Sequence, residues 1–391
     1  MPCGGRFGMR APLARDFERF ARALPRDFPD YVRETYRIDL SARYLGAAVP
    51  HPIGKGSGQL SLNEKQLEED AAAGLAFAVL KTVIAQDARG AQAMAAWAIH
   101  ETRMKVEHRR AGDGREGWTV TWKGRGWDRS LDEYLTLVRA GRDLTSAGTL
   151  LCVPSVKYHL PPLGEPFREE EYRYTTERLA AEWGDSPLPL EKDFSPTLAG
   201  DALAEDKAQI LRWLREVPQH IRAHAAVRLA LKLMNARFDD EFQLEMLTTA
   251  AAGADTLVVF NRLFDERLGV AYGGWELSER NLRVLDAIAD RPSDRPSVQL
   301  CGTGNIGTGR MILAYASRGC SSVQLHTFFQ LPLSAYPAAA GSRTQRALHA
   351  LVFHPDDGLV AGLLELEAQG QLERRGGELH FLDLADAHRH R

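Results

Sequence analysis

Gly302-Thr303-Gly304-Asn305-Ile306-Gly307 follows an apolar run and precedes a helix-spaced one, a place where glycine lets a backbone turn come close to a ligand. Read as G-x-G-x-x-G, it is the dinucleotide-binding pattern, which asks the next strand to end in an acid about 20 residues on. That strand, Ser322 to Thr327, ends in His326 and Thr327 instead. Read as two strand-end turns, Gly304-Asn305 and His326-Thr327, the same residues offer backbone N–H groups to a phosphate. A ligand-free glycine turn is the third reading. Lys232 lies in VRLALKLM, where Leu229, Leu231 and Leu233 share one face and Lys232 takes the other. A buried ammonium requires an anionic partner, either a carboxylate or a ligand that becomes negatively charged. Lys81, beside Thr82 after AFAVL, poses the same alternatives.

Other clusters carry weaker chemistry. Lys157-Tyr158-His159 follows an apolar run and reads either as a ligand-facing group or as a surface loop. Trp118, Trp122 and Trp127, interleaved with Lys123, Arg125 and Arg129, resemble a stacking platform for single strands, but a substrate-covering lid or packed hairpin explains them more simply. Cys3, Cys152, Cys301 and Cys320 form no Cys-x-x-Cys pair, so no metal site is expected. His388, His390 and Arg391 read as a C-terminal tail.

Repeated βα units are the elements that would position these residues. Eight apolar runs recur with helical stretches between them: 44–49, 76–80, 149–156, 187–194, 227–234, 256–261, 297–302 and 322–327. Residues 64–73, 207–225, 240–252 and 309–317 have helical spacing. The rhythm predicts an α/β fold, a (β/α)8 TIM barrel, with insertions on its catalytic face at 90–146 and 157–186. Residues 1–42 are expected as an N-terminal helical extension, 43–333 as the barrel and 334–391 as a small C-terminal helical appendage.

Composition narrows the class. The 391 residues are 44% hydrophobic and 26% charged, which excludes a disordered or disulfide-stapled chain. Forty-nine basic against 52 acidic residues leave a net charge of -3, without a general pull toward nucleic acid or anionic membrane. The segment Phe17 to Arg26 is too charged for a signal peptide, and no apolar run of about 18 residues could span a bilayer, so a cytoplasmic protein is expected.

Taken in order, Pro52-Ile53-Gly54-Lys55-Gly56-Ser57-Gly58, Val79-Leu80-Lys81-Thr82, Leu231-Lys232-Leu233, Val258-Val259-Phe260-Asn261, Gly273-Gly274 and the two turns resemble the dihydroorotate dehydrogenase family from about Tyr44 to Pro332. The resemblance implies a barrel that binds flavin mononucleotide. It places Ser57 and Gly58 beside the flavin ring, Lys81 and Thr82 at ring or ribityl oxygens, and Lys232 at the N1–O2 edge. It also assigns Asn261 and Gly274 to the cofactor, and Gly304, Asn305, His326 and Thr327 to its phosphate. Ser195, in Asp193-Phe194-Ser195-Pro196-Thr197, matches the family's proton-abstracting Cys or Ser before a proline. A serine before proline is also an ordinary turn residue.

The orotate-binding asparagines depart from the family. Lys192 and Thr197 stand at two of those places, no Asn-Met-Gly-Leu loop follows strand three, and only Asn261 remains. The expectation is an FMN-dependent oxidoreductase acting on CH–CH bonds, transferring a hydride between the cofactor and a small polar or anionic molecule other than dihydroorotate. Quinone, NAD and fumarate all stay open as electron acceptors, and a homodimer is compatible. The alternatives are a non-catalytic barrel using its insertions as an interaction surface, and an NAD-dependent Rossmann enzyme.

Overall fold

The computed structural model describes residues 10–95, 103–110, 114, 116–123, 126–194, 206–236, 238–265, 270–289, 291 and 296–387. In chain order its strands are β1 (Ile38–Asp39), β2 (Ala42–Tyr44), β3 (Ala47–Val49), β4 (Ile53–Lys55), β5 (Phe77–Val79), β6 (Val83–Ile84), β7 (Arg103–Arg110), β8 (Glu116–Lys123) and β9 (Leu151–Val153). There follow β10 (Ser155–Lys157), β11 (Leu188–Asp193), β12 (Val227–Lys232), β13 (Thr256–Val259), β14 (Leu263–Asp265), β15 (Val270–Gly273), β16 (Gln299–Gly302), β17 (Cys320–Leu325) and β18 (Leu379–His380).

The expected eight-stranded closed TIM barrel is corrected. In hydrogen-bonding order the main sheet is open and curled, with ten strands running β6-β10-β11-β12-β13-β16-β17-β4-β5-β9, each pair parallel. The difference has a local cause. Pro154, which has no N–H to donate, separates β9 from β10, and Leu80-Lys81-Thr82 separates β5 from β6. Each of these two stretches therefore supplies one short strand to each end of the order. The curl is evident in the interior, where Gln324 of β17 donates to Glu191 of β11 at 2.6 Å although three strands lie between them in the order.

The run 44–49, expected as the first strand of the main sheet, belongs instead to an antiparallel hairpin of β2 and β3. Leu45 and Gly46 both have positive φ, 50° and 73°, the backbone of a tight hairpin turn. Hydrogen bonds from Gly46 N to Gln299 and from Ser321 to Arg43 O seat this hairpin on the N-terminal ends of β16 and β17.

The expected helices are present at Glu64–Ala72, Lys207–Arg222, Asp240–Ala251 and Gly309–Ala316, started by side-chain caps from Asn63, Asp206, Asp239 and Thr308. The two stretches read as insertions hold further helices, Leu131–Ser146 and Glu169–Trp183. Ser130 and Glu133 form a capping box at the start of the first. The insertion 90–146 also supplies β7 and β8, which join β14 and β15 in a four-stranded antiparallel sheet ordered β14-β15-β8-β7.

The N- and C-terminal parts pack on each other. β1 pairs in parallel with β18, Phe17 stacks on His349 at 4.4 Å, and Phe20 meets Phe353 edge-on at 4.9 Å. The helix Arg343–Phe353 is held to the main sheet by a buried triad. Lys55 Nζ, at the end of β4, lies 2.5 Å from Asp70 Oδ1, and Thr344 Oγ1 donates to the same oxygen at 2.6 Å. Lys55 and Asp70 are 3% and 1% exposed, so losing one charge strands the other in the interior. Asp70→Asn is expected to cost about 3–5 kcal/mol of stability, read as a lowered denaturant midpoint with an unchanged slope.

Candidate functional site

Because the main strands run parallel, the residues that end or follow them collect at one edge of the sheet, where open α/β sheets bind ligands. β4 leads into Gly56-Ser57-Gly58, β5 into Lys81-Thr82, β13 into Asn261-Arg262, β16 into Thr303-Gly304-Asn305 and β17 into His326-Thr327. β10, β11 and β12 end in Lys157, Asp193 and Lys232. Ser195, Pro196 and Thr197 lie outside the described residues, as do Cys3, Arg125, His388, His390 and Arg391.

The glycines leave room for neighbouring side chains. A β-carbon at Gly56 would stand 3.3 Å from both Lys232 Nζ and Gln324 Oε1, and one at Gly58 would overlap the His326 ring. Ser57 Oγ and Thr82 Oγ1 are 2.8 Å apart, and Thr82 Oγ1 and Ser155 Oγ 3.0 Å, so hydroxyls from three parts of the edge form one chain. Thus Ser57, Gly58, Thr82, His326 and Lys232, predicted from distant parts of the sequence, come together.

The Gly304-Asn305 turn has an unusual backbone. Gly304 sits at φ 118° and Asn305 at φ 59°. A side chain at Gly304 would run into Asn281 Nδ2, which donates to Phe260 O at 2.9 Å and Thr303 O at 2.7 Å. Asn305 Nδ2 donates to Trp118 O at 3.1 Å and thereby ties the turn to β8. A β-carbon at Gly273 would be 3.7 Å from Thr327 Oγ1, which places the Gly273-Gly274 end of β15 over the second turn. The antiparallel sheet thus borders the Gly304-Asn305 and His326-Thr327 turns.

The interior of the edge is dominated by cations. Burial alone would raise the Asp193 carboxyl, but Lys157, Lys232, Arg262 and Lys192 outweigh it and hold the group ionised below its usual range. Asp193 Oδ1 is buried without a hydrogen-bond partner among the described residues. Burial pushes Lys81 down to about 7, with Arg262 and Lys157 adding like-charge repulsion, so it is shared between ammonium and amine at neutral pH. Its side chain has no hydrogen bond or ion pair among the described residues. His326 is kept neutral by burial and by Arg262, Lys232, Lys81 and Lys55. Asn261 is buried, and its carbonyl accepts from Asn235 N at 3.3 Å.

Lys232 points inward. Its Nζ donates to Gln324 Oε1 at 3.1 Å and lies 3.8 Å from Glu191 Oε1. Of the Lys157-Tyr158-His159 cluster, only Lys157 joins the edge. Tyr158 is buried against Thr176 at 2.7 Å, and half-buried His159 accepts from Arg168 N at 3.3 Å. Lys192 is fully buried on the other face of its strand, donating to Asp193 O at 3.0 Å and standing 4.6 Å from the centre of the Phe194 ring.

Sequence reasoning missed Asp193, Arg262, Asn281 and the Glu191–Gln324 pair as parts of this edge. Glu191 and Gln324 did carry a signal, being polar residues that directly follow apolar ones in their strands. Among the described residues no group of three or more His, Cys, Asp or Glu could hold a metal ion, and no helix is long and apolar enough to cross a membrane. No family model matches the chain, and no curated protein matches it.

Proposed function

We propose that the protein is a flavin mononucleotide-dependent oxidoreductase similar to the dihydroorotate dehydrogenases, acting on a small polar or anionic substrate. The observation that carries this reading is the convergence, at one sheet edge, of the side-chain-free turn at Gly304 with the inward ammonium of Lys232. The residues fit the cofactor. The backbone at Gly304-Asn305 and His326-Thr327 would hold the phosphate, with neutral His326 bringing no charge of its own. Ser57, Gly58, Thr82, Asn261 and Gly274 would line the ring and ribityl chain, with Lys81 at their border. When bound, the cofactor supplies two-electron exchange with a substrate carbon.

The protein's own groups do the rest. Lys232 stabilises negative charge where it develops. Lys81, Lys157 and Arg262 lie around Asp193, with Asp128 also facing Lys81, and this concentration of basic groups at the edge suits an anionic substrate. The proton-abstracting role of Ser195 rests on the family resemblance.

The visible absorption spectrum of the purified protein tests the reading. Flavin bands are expected, or appear on adding flavin mononucleotide. A colourless protein with a Kd weaker than about 1 mM would refute it. Lys232→Met is expected to make the bound cofactor harder to reduce. Loss of a charged contact worth about 1.5–3 kcal/mol corresponds to a two-electron potential about 30–65 mV lower. An unchanged potential would remove Lys232 from this role.

A further inference from the structure

Beneath Lys232 lies a closed polar network that the cofactor reading does not use. Glu191, in the middle of β11, is completely buried. Its Oε2 accepts from Gln324 Nε2 at 2.6 Å and from Tyr44 Oη at 3.3 Å. Oε1 makes no hydrogen bond among the described residues and faces Lys232 Nζ at 3.8 Å. Gln324 spans the network with one amide, since its Oε1 accepts from Lys232 at 3.1 Å while its Nε2 donates to Glu191 and, at 2.7 Å, to Tyr44 Oη. Tyr44 enters from the N-terminal hairpin and is fixed by stacking on Phe77 at 4.1 Å.

We propose that Glu191 is a positioning residue for the cofactor chemistry: clamped by Gln324 and Tyr44, it fixes and partly neutralises Lys232 and so lowers the cofactor's reduction potential. The inference rests on the flavin reading and deepens it. Two features argue against a purely structural pair. A buried carboxylate is costly unless its lone pairs are satisfied, and an apolar residue of similar size would serve packing equally well. Yet one Glu191 oxygen is left with only the ammonium before it, at a distance longer than a hydrogen-bonded ion pair. Burial raises the Glu191 carboxyl above its usual range, with Asp193 adding to the rise and Lys232, Gln324 and Tyr44 opposing it. The Glu191 carboxyl therefore acts on the Lys232 ammonium across 3.8 Å, and through it on any negative charge arriving above.

The test compares flavin-loaded wild type with Glu191→Gln, whose amide can still accept from Gln324. Two quantities are read: the midpoint potential against a reference dye, and the affinity for sulfite, an anionic probe of positive charge beside the ring. Removing the carboxylate leaves Lys232 with Asp193 as its remaining acidic neighbour. The potential is expected to rise by about 30 mV, a tenfold shift in the oxidised-to-reduced ratio, and sulfite to bind about tenfold more tightly. Glu191→Asp, which keeps the charge, stays closer to wild type. If Glu191→Gln does not fold, Tyr44→Phe decides. It removes one donor from the carboxylate and is expected to move both readings the same way by a smaller amount. A variant that loads flavin but keeps wild-type potential and sulfite affinity, or moves them the opposite way, overturns the role of Glu191 alone. A wild-type protein that binds no flavin mononucleotide overturns the cofactor reading and this inference with it.

Discussion

Dihydroorotate is expected to be a poor substrate for the flavin-loaded protein, with kcat/KM about two to six orders of magnitude below that of an orotate site with all its asparagines in place. The figure follows from two or three lost contacts at about 1–3 kcal/mol each, because a planar ring bearing a carboxylate and two amide edges leaves buried groups unpaired wherever a partner is missing. Asn261 remains at the edge, but Lys192 stands where the resembled family carries an asparagine, and its Nζ already contacts Asp193 O and the face of Phe194. An ammonium in any case donates only and cannot copy an amide's paired donor and acceptor. The positive charge of Lys157 and Arg262, which already acts on Asp193, does not restore recognition of the pyrimidine ring. Steady-state assays with quinone, NAD and fumarate as acceptors provide the check. An efficiency of about 10⁴ M⁻¹s⁻¹ or better with any of them would contradict the expectation.

Gly304→Val is expected to abolish flavin mononucleotide binding, weakening it by at least about a hundredfold, or roughly 3 kcal/mol. Two effects add. At φ 118° only glycine is at ease, so a branched side chain forces the turn to refold, and its β-carbon collides with the Asn281 amide that joins Phe260 O to Thr303 O. Either change withdraws the backbone N–H groups from a phosphate. Fluorescence titration measures the loss, and an unchanged far-UV circular dichroism spectrum shows that the sheet survives. Wild-type affinity in this variant would move the phosphate elsewhere.

The parallel strands were readable in the sequence because short apolar stretches recur between helical ones, most plainly in β13, where a strand covered on both faces needs no polar alternation. The run 44–49 misled because an apolar stretch does not reveal its partner, although Gly46 marked the turn that makes it a hairpin. The break at Pro154 fell inside the run 149–156 and was not read as the end of a strand, and β6 beyond Lys81-Thr82 was not read at all; both make the sheet an open order of ten. β7 escaped because its eight residues are mostly charged, yet Asp113-Gly114 between it and β8 is a hairpin signal. At the edge, strand-end residues such as Lys81, Lys232 and Asn305 could be named because their positions follow from strand order. Asn281 could not, since a helix residue supporting a turn 22 positions away carries no local pattern.

A crystal structure of the protein with flavin mononucleotide bound tests the cofactor site most directly. The expected density places the phosphate on the backbone of Gly304-Asn305 and His326-Thr327, with the ring beside Ser57 and Lys232. Flavin found away from this edge, for example in the groove that Arg310, Arg318, Glu365 and Arg374 line, would contradict it, as would an empty edge at saturating cofactor.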